Sequence, residues 1–233
     1  MPELAVGLIG AGGIARAHLP AWLELGARVT VFTHDDSGAR LAAEYAGQGV
    51  HGLQGVQVAR TIDELLDSSE AVDVCTPTHT HREVVLTALR AGVHVACEKP
   101  LALTPGHVEE MIAEAARAGV LLFPAHVVRY FPEYAAMAKA VAGGAVGEPA
   151  VLRFTRTGTY PVWSPWFADP ELSGGLLVDQ MIHDFDFARL LAGEVVRVHA
   201  HVRGHQEAPA PAGCVAAATA VLTHASGAIS HVH

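Results

Sequence analysis

Short apolar runs alternate with longer stretches of helical spacing over the first half of the chain. Continuous apolar runs between turn residues are typical of strands buried on both faces of a sheet. Strand and helix in strict alternation predict a doubly wound parallel sheet, so we predict an α/β domain at residues 1–124. The predicted strands lie at 4–9, 28–32, 55–58, 71–75, 93–96 and 120–123. The predicted helices lie at 13–25, 37–46, 79–91 and 104–118, with a further short helix that Thr61 and Glu64 begin as a capping box.

The pattern changes beyond residue 124, where longer strands follow a single helix. We predict a second, α+β domain with a mostly antiparallel, open sheet over residues 125–233. Its helices are predicted at 131–142 and 175–191, and its strands at 149–159, 195–204, 214–223 and 228–233. The chain ends within the last of these strands, so we expect the sheet to be incomplete and this strand to form an exposed edge.

Composition and charge narrow the class of protein. The 233 residues are 51% hydrophobic and 17% charged, which is typical of a folded globular chain. Only 15 basic side chains oppose 24 acidic ones, and because phosphate binding depends on Lys and Arg we predict no nucleic-acid partner. No apolar run approaches the roughly 18 residues of a membrane span. We therefore predict no membrane partner. The three scattered cysteines fit a reducing compartment, so we also predict a cytoplasmic protein.

A glycine-rich turn joins the first predicted strand to the first predicted helix. Residues 10–15 fit the pattern GxGxxA, which is typical of dinucleotide binding when strand and helix flank it. The first glycine permits the tight turn, the second admits a diphosphate to the backbone, and a small third residue lets the helix pack on the strand. The candidate cofactor-binding residues here are Gly10, Gly12, Gly13, Ile14 and Ala15.

The end of the second predicted strand bears on the choice between NAD and NADP. A carboxylate there would hold the adenosine ribose and repel a 2′-phosphate. Here Thr33 and His34 occupy that place, and Asp35 and Asp36 come directly afterwards. Thr33 and His34 are therefore candidate cofactor residues, the choice between NAD and NADP stays open, and the two carboxylates either contact the ribose or cap the next helix.

Polar residues also follow the fourth and fifth predicted strands, where an open parallel sheet binds its ligands. Thr76, Pro77 and His81 come after the fourth strand, and Glu98 and Lys99 after the fifth. Lys99 in this place points at the crevice. The spacing of His79 and His81 could suit a metal, but we favour loop and helix-cap roles for them and predict no metal site.

The predicted helix at 175–191 is apolar on nearly every side but carries Asp179, His183 and Asp186. Their spacing of four and three residues places them on one helical face. Buried carboxylates and imidazoles need partners, because leaving them unpaired costs several kcal/mol. The three residues are therefore either a satisfied structural group or a general acid/base histidine oriented by aspartate.

Together these motifs resemble the Gfo/Idh/MocA oxidoreductase family over the whole chain. The motifs are Gly10-x-Gly12-x-x-Ala15, Thr76-Pro-Thr-His-Thr-His81, Glu98-Lys99-Pro100, and Gly174-Gly175 followed by Asp179-x-x-x-His183-Asp184. The resemblance implies a Rossmann domain that binds NAD or NADP and a second domain whose sheet makes a homodimer or homotetramer. Family chains continue past the last strand seen here, so we expect a truncated member or a short variant.

The resemblance also implies roles for individual residues. Lys99 would bond the reacting hydroxyl beside the nicotinamide, His183 would be the general acid/base, and Asp179 would orient the substrate or the histidine. The substrate would be a sugar, cyclitol or related alcohol. Arg129 and Trp166, with Trp163 and Phe167, are further substrate contacts unless they serve core or rim packing.

Two other hypotheses compete with the hypothesis that the chain is an enzyme. The same fold can serve as a non-catalytic nucleotide- or sugar-sensing regulator, and a truncated member can fold without turnover.

The histidines at positions 199, 201 and 205 follow one predicted strand, where we expect solvated side chains facing a subunit partner rather than a metal.

Overall fold

The computed structural model describes residues 3–45, 56–158, 164–204 and 215–233. The chain divides into two compact units, Met1–Ala125 and His126–His233. Within the described ranges, no helix has both the length and the apolar character that crossing a bilayer requires. Trp163, His205 and the third cysteine of the sequence, Cys214, lie outside the described residues.

The first unit is built on a six-stranded parallel sheet of order β3-β2-β1-β4-β5-β6. This confirms the predicted doubly wound class. All five residues of β1 are buried, and apolar clusters cover the sheet, as expected for a strand enclosed by helices. The strands are β1 (Ala5–Ile9), β2 (Arg28–Phe32), β3 (Gln57–Val58), β4 (Ala71–Val74), β5 (His94–Glu98) and β6 (Leu122–Ala125).

Local capping fixes several helix ends of this unit. Thr61 accepts a hydrogen bond from the Glu64 amide at 3.1 Å, but the Glu64 carboxylate accepts from the Arg60 amide, one residue before the expected partner. Thr104 caps the last helix, which ends at Gly119 in the left-handed conformation. The helices are α1 (Ala15–Glu24), α2 (Ser37–Glu44), α3 (Ile62–Asp67), α4 (His81–Arg90) and α5 (Pro105–Ala118).

The second unit contains a four-stranded mixed sheet of order β7-β10-β9-β8. The strands are β7 (Val151–Phe154), β8 (Val195–Gly204), β9 (Val215–His224) and β10 (Ile229–Val232). Two of the three pairings are antiparallel, as predicted, but β7 runs parallel to β10. Our expectation of an exposed edge at 228–233 is wrong, because β10 lies between β7 and β9. Alternation in sequence reports one-sided burial and carries no information about strand direction.

The predicted helix at 175–191 is divided in two. Its parts are α9 (Gly175–Asp179) and α10 (Ile182–Ala192), and the amides of Gln180 and Met181 both donate to the Leu176 carbonyl, at 3.0 and 3.1 Å. The second of these bonds spans five residues rather than four and ends the regular α-helical ladder. The prediction of one continuous helix is therefore wrong, and Asp179 and His183 lie on two successive helices. The other helices are α6 (Pro132–Ala142), α7 (Pro165–Ala168) and α8 (Pro170–Ser173).

Candidate active site

The turn after β1 requires glycine at its first position. Gly10 has a φ of +104°, and a Cβ atom there would stand 2.7 Å from the carbonyl oxygen of Cys75. Its amide donates to the Phe32 carbonyl at 3.0 Å. The chain thus turns tightly between the ends of β2 and β4, at the carboxyl edge of the sheet where ligands of doubly wound folds bind.

The remaining glycines of this turn leave space in front of α1. A Cβ atom on Gly12 or Gly13 would meet nothing within 4 Å. Ile14 is 42% exposed, whereas Ala15 is fully buried where the helix packs on the sheet. The first turn of α1 carries no acidic side chain. Because the first amides of a helix lack partners within it, this end is suited to a diphosphate.

The segment after β2 is organised by Thr33 and Asp35. The Thr33 hydroxyl donates to the Asp35 carbonyl at 2.6 Å and accepts from the Gly38 amide at 2.9 Å. The Asp35 carboxylate accepts from the Ser37 amide and hydroxyl, which lowers the pKa of Asp35. Of the two roles left open for the carboxylates, Asp35 therefore caps the start of α2, while Asp36 makes no capping bond. His34 is exposed and packs edge-on against Phe32.

The loops after β4 and β5 are joined by a buried histidine. The Nδ1 atom of His81 lies 2.9 Å from the Pro100 carbonyl oxygen, and its Nε2 atom lies 2.9 Å from that of Thr76. Burial lowers the pKa of this imidazole, although both carbonyls act in the opposite direction. Pro77 begins the short 3-10 turn before α4. The structure thus brings Thr76, Pro77, His81 and the segment around Lys99 together at one edge of the sheet.

Sequence analysis missed a polar cluster beneath this edge. His18 on α1 contacts Asp73 of β4 and Glu98 of β5, at 2.9 and 3.2 Å, and Trp22 donates to Asp73 at 2.7 Å. The hydrogen bond to Asp73, followed by those to Cys75 and Glu98, raises the pKa of His18 to about 12. Asp73 is the residue from which the sequence could have predicted this cluster, because a carboxylate inside an otherwise apolar buried strand requires a partner.

His18, Asp73 and Cys75 form a group whose ligand atoms lie within 4.8 Å of one another. Nitrogen and oxygen ligands about 2.0–2.1 Å from a tetrahedral zinc stand roughly 3.3 Å apart. The Nδ1 atom of His18 lies only 2.9 Å from the Asp73 carboxylate, which is the distance of an N–H···O hydrogen bond. Burial also raises the pKa of the Cys75 thiol to about 12, which disfavours the thiolate a metal needs. These contacts favour hydrogen bonds over metal ligation.

Two ion pairs organise the acidic residues near α10. Asp184, at 3% exposure, receives two hydrogen bonds from the Arg156 guanidinium, at 2.8 and 2.9 Å. Asp186 receives two from Arg129, and both arginine pKa values are raised by their carboxylate partners. Asp186 therefore forms a structural pair, which is one of the two roles left open for this group.

The remaining predicted residues of the second unit lie on short elements. Asp179, at the end of α9, is 5% exposed and accepts from the Gln180 side chain at 2.7 Å. His183 lies in the first turn of α10 and is half-buried. Trp166 stacks on Phe167 with ring centroids 3.9 Å apart. His199 and His201 lie on one face of β8 and are both exposed, with their Nε2 atoms 3.0 Å apart.

Comparison with known proteins defines the family. Residues 4–126 match the family described as "Oxidoreductase family, NAD-binding Rossmann fold", and residues 134–233 match the GFO/IDH/MocA C-terminal domain. The chain belongs to the Gfo/Idh/MocA oxidoreductase family. The resemblance inferred from the motifs is thereby confirmed.

Several Gfo/Idh/MocA proteins are similar to this chain. Myo-inositol 2-dehydrogenase of Thermotoga maritima is 39% identical over 69% of this chain and 48% of its own length. D-apiose dehydrogenase of Paraburkholderia graminis is 35% identical over 97% of this chain and 58% of its own. The chain thus spans about half the length of these relatives. The crystal structure of a putative myo-inositol dehydrogenase from Sinorhizobium meliloti superimposes with a TM-score of 0.84, at 30% identity, over 99% of this chain and 68% of that one.

Substituting Gly10 tests whether the turn after β1 requires glycine at this position. We expect Gly10→Ala to destabilise the chain by about 2 kcal/mol, because alanine is strained at positive φ. It should also weaken NADH binding, because the Cβ atom would displace the turn from the Cys75 carbonyl. Urea unfolding and NADH fluorescence titration measure the two effects.

Gly13→Ala is the matched control, since nothing lies within 4 Å of its added Cβ. It should leave the free energy of unfolding nearly unchanged. Equal losses of stability in the two variants would contradict the steric argument.

Proposed function

We propose that this chain is an NAD(P)-dependent oxidoreductase that transfers a hydride between the nicotinamide and a secondary alcohol or ketone of a sugar or cyclitol. One observation carries the proposal. The glycine turn after β1 and the Lys99 segment after β5 lie at the same edge of one parallel sheet, separated by the single strand β4. A turn that can admit a diphosphate and a lysine at the same edge suit a nicotinamide-dependent dehydrogenase.

The residues of the first unit fit the cofactor. Gly10 permits the tight turn, Gly12 and Gly13 leave room for a diphosphate in front of α1, and Ala15 packs the helix closely on the sheet. Thr33 and His34 would border the adenosine ribose, and no carboxylate directly ends β2, so both NAD and NADP remain candidates. When bound, the nicotinamide accepts or donates the hydride. Thr76, Pro77, His81 and Glu98 would line the nicotinamide end.

Three side chains would perform the acid/base chemistry. The Lys99 ammonium would donate a hydrogen bond to the reacting oxygen and stabilise its alkoxide character as the hydroxyl proton leaves. His183 would take that proton in oxidation and return it in reduction, and an imidazole is suited to both at neutral pH. Asp179, already buried and hydrogen-bonded, would hold the substrate or the histidine in place.

The substrate class follows the relatives, which are named for myo-inositol and D-apiose. Arg129 and Trp166 are proposed further contacts. The Arg129 guanidinium is fixed by Asp186, which would leave it pre-oriented for a hydroxyl, and the half-buried Trp166 ring offers an apolar face to a sugar.

We also propose a homodimer or homotetramer formed through the second sheet. Val198 and Val202 of the edge strand β8 are more than half exposed and share one face, as expected of a surface that a second copy covers. A cytoplasmic location is supported by the free, buried thiols of Cys75 and Cys97.

The test is a binding titration followed by a turnover panel. NADH and NADPH are titrated by fluorescence, and the preferred oxidised cofactor is then incubated with myo-inositol, D-apiose and related polyols. We expect saturable binding of one cofactor and reduction of it by at least one polyol. Binding without turnover would favour a sensing role, and failure to bind either cofactor would overturn the proposal.

A further inference from the structure

His18 lies where the glycine-turn helix meets two strands that lead into the candidate site. Its Nδ1 atom is 2.9 Å from the Asp73 carboxylate on β4, and its Nε2 atom is 3.2 Å from the Glu98 carboxylate on β5. The exposed fractions of the two carboxylate side chains are 2% and 8%, so water offers them little solvation.

Both ring nitrogens of His18 face a carboxylate oxygen, Nδ1 at hydrogen-bond distance from Asp73 and Nε2 at ion-pair distance from Glu98. A neutral imidazole has only one N–H group, so a neutral His18 would turn a lone pair towards one buried carboxylate. Asp73 also accepts from the Trp22 indole at 2.7 Å and from the Cys75 thiol at 3.6 Å. His18 thus bridges two buried carboxylates, and its raised pKa favours the imidazolium form.

Glu98 connects this bridge to Lys99. One oxygen, Oε1, faces His18, and the other, Oε2, accepts a hydrogen bond from the Lys99 backbone amide at 3.0 Å. Because a carboxylate is planar, fixing Oε1 also fixes where Oε2 stands. The peptide that enters Lys99 is thus oriented by the Glu98 side chain, and one peptide further on the Pro100 carbonyl is held by His81.

We propose that His18 is a positioning residue for Lys99, acting by holding the Glu98 carboxylate in the orientation that accepts the Lys99 amide. The effect on catalysis rests on the proposed function, whereas the orientation of the Lys99 amide by Glu98 does not. The contacts of His18 and Glu98 also connect α1, which begins at the glycine turn, to the backbone of Lys99.

Two substitutions separate the two ends of the bridge. The side-chain amide nitrogen of asparagine stands close to the place of Nδ1 of histidine, and that of glutamine close to the place of Nε2. His18→Asn therefore keeps a donor for Asp73 and loses the one for Glu98, whereas His18→Gln does the reverse. Both variants remove the positive charge, so any difference between them reports which carboxylate is held.

The first measurement is hydrogen exchange at the Lys99 amide, followed by NMR in the ligand-free full-length chain. We expect exchange in His18→Asn to be roughly 10-fold faster or more than in wild type, because the accepting carboxylate is released. His18→Gln should stay within about 3-fold of wild type. Arg16→Ala is the control on the same helix, since it removes only an exposed ion pair with Glu44 and should leave Lys99 unaffected.

The second measurement is turnover with the preferred cofactor and the panel polyol that wild type oxidises, well below the midpoint of thermal unfolding. We expect kcat of His18→Asn to fall roughly 10- to 100-fold with KM changed less, because a misplaced lysine weakens transition-state contacts most. His18→Gln should recover most of kcat. A purely structural histidine would lower thermal stability in both variants without separating their kcat values.

The two proposals fail in different ways. Equal Lys99 exchange in His18→Asn, His18→Gln and wild type would overturn the positioning role, whatever the chain catalyses. Faster exchange in His18→Asn alone, in a chain that oxidises no polyol, would uphold the positioning of the Lys99 segment and overturn only the proposed function.

Discussion

His183→Ala lowers kcat/KM for the preferred polyol by a factor of roughly 10²–10⁴, while the affinity for NADH stays within about twofold of wild type. The reason is that a general base contributes only where a proton moves, and the residues proposed to bind the cofactor belong to the other unit of the chain. His183 lies in the first turn of α10, where its half-buried side chain is held by a helix rather than a loop. Steady-state kinetics and NADH titration measure the two effects.

Arg189→Ala on the same helix is the matched control for His183→Ala. It removes a surface ion pair with Glu194, in which both side chains are more than half exposed, so activity should be unchanged. If His183→Ala kept more than a tenth of wild-type kcat/KM, the histidine would not be the general base. A parallel loss of NADH binding would show that the substitution had damaged the fold instead.

Arg156→Leu is expected to destabilise the second unit by about 3 kcal/mol, since removing one partner of a buried pair leaves the other charge without compensation. The remaining carboxylate is Asp184, whose side chain is 4% exposed and which receives two hydrogen bonds from this guanidinium. Urea unfolding of the full chain at pH 7 gives the loss of free energy. The surface variant Arg189→Ala should cost less than about 0.5 kcal/mol in the same assay.

A second substitution identifies the cause of that loss of stability. Leucine at position 156 would leave the buried Asp184 carboxylate without the guanidinium that compensates its charge. Adding Asp184→Asn to Arg156→Leu should therefore restore part of the stability at pH 7. A loss of stability that Asp184→Asn leaves unchanged would contradict the buried-charge explanation.

Local sequence was sufficient wherever a residue and its partner lie close in the chain. The apolar runs of β1, β2 and β4 correspond to strands that are almost entirely buried, because burial on both faces of a parallel sheet demands continuous apolar sequence. Thr61 and Thr104 cap the helices that their positions predicted, since a cap bonds an amide only a few residues away. Gly10 was assigned to the turn by its motif, and its positive φ gives the reason.

Only the tertiary structure decided the interactions between residues far apart in sequence. His18 meets Asp73 across 55 residues, and Arg129 meets Asp186 across 57. Periodicity also could not predict that the helix at 175–191 is divided after α9 or that β7 runs parallel to β10. Periodicity records which side of an element is apolar, whereas strand direction, helix continuity and the partner of a buried charge depend on which distant groups the fold brings within hydrogen-bond distance.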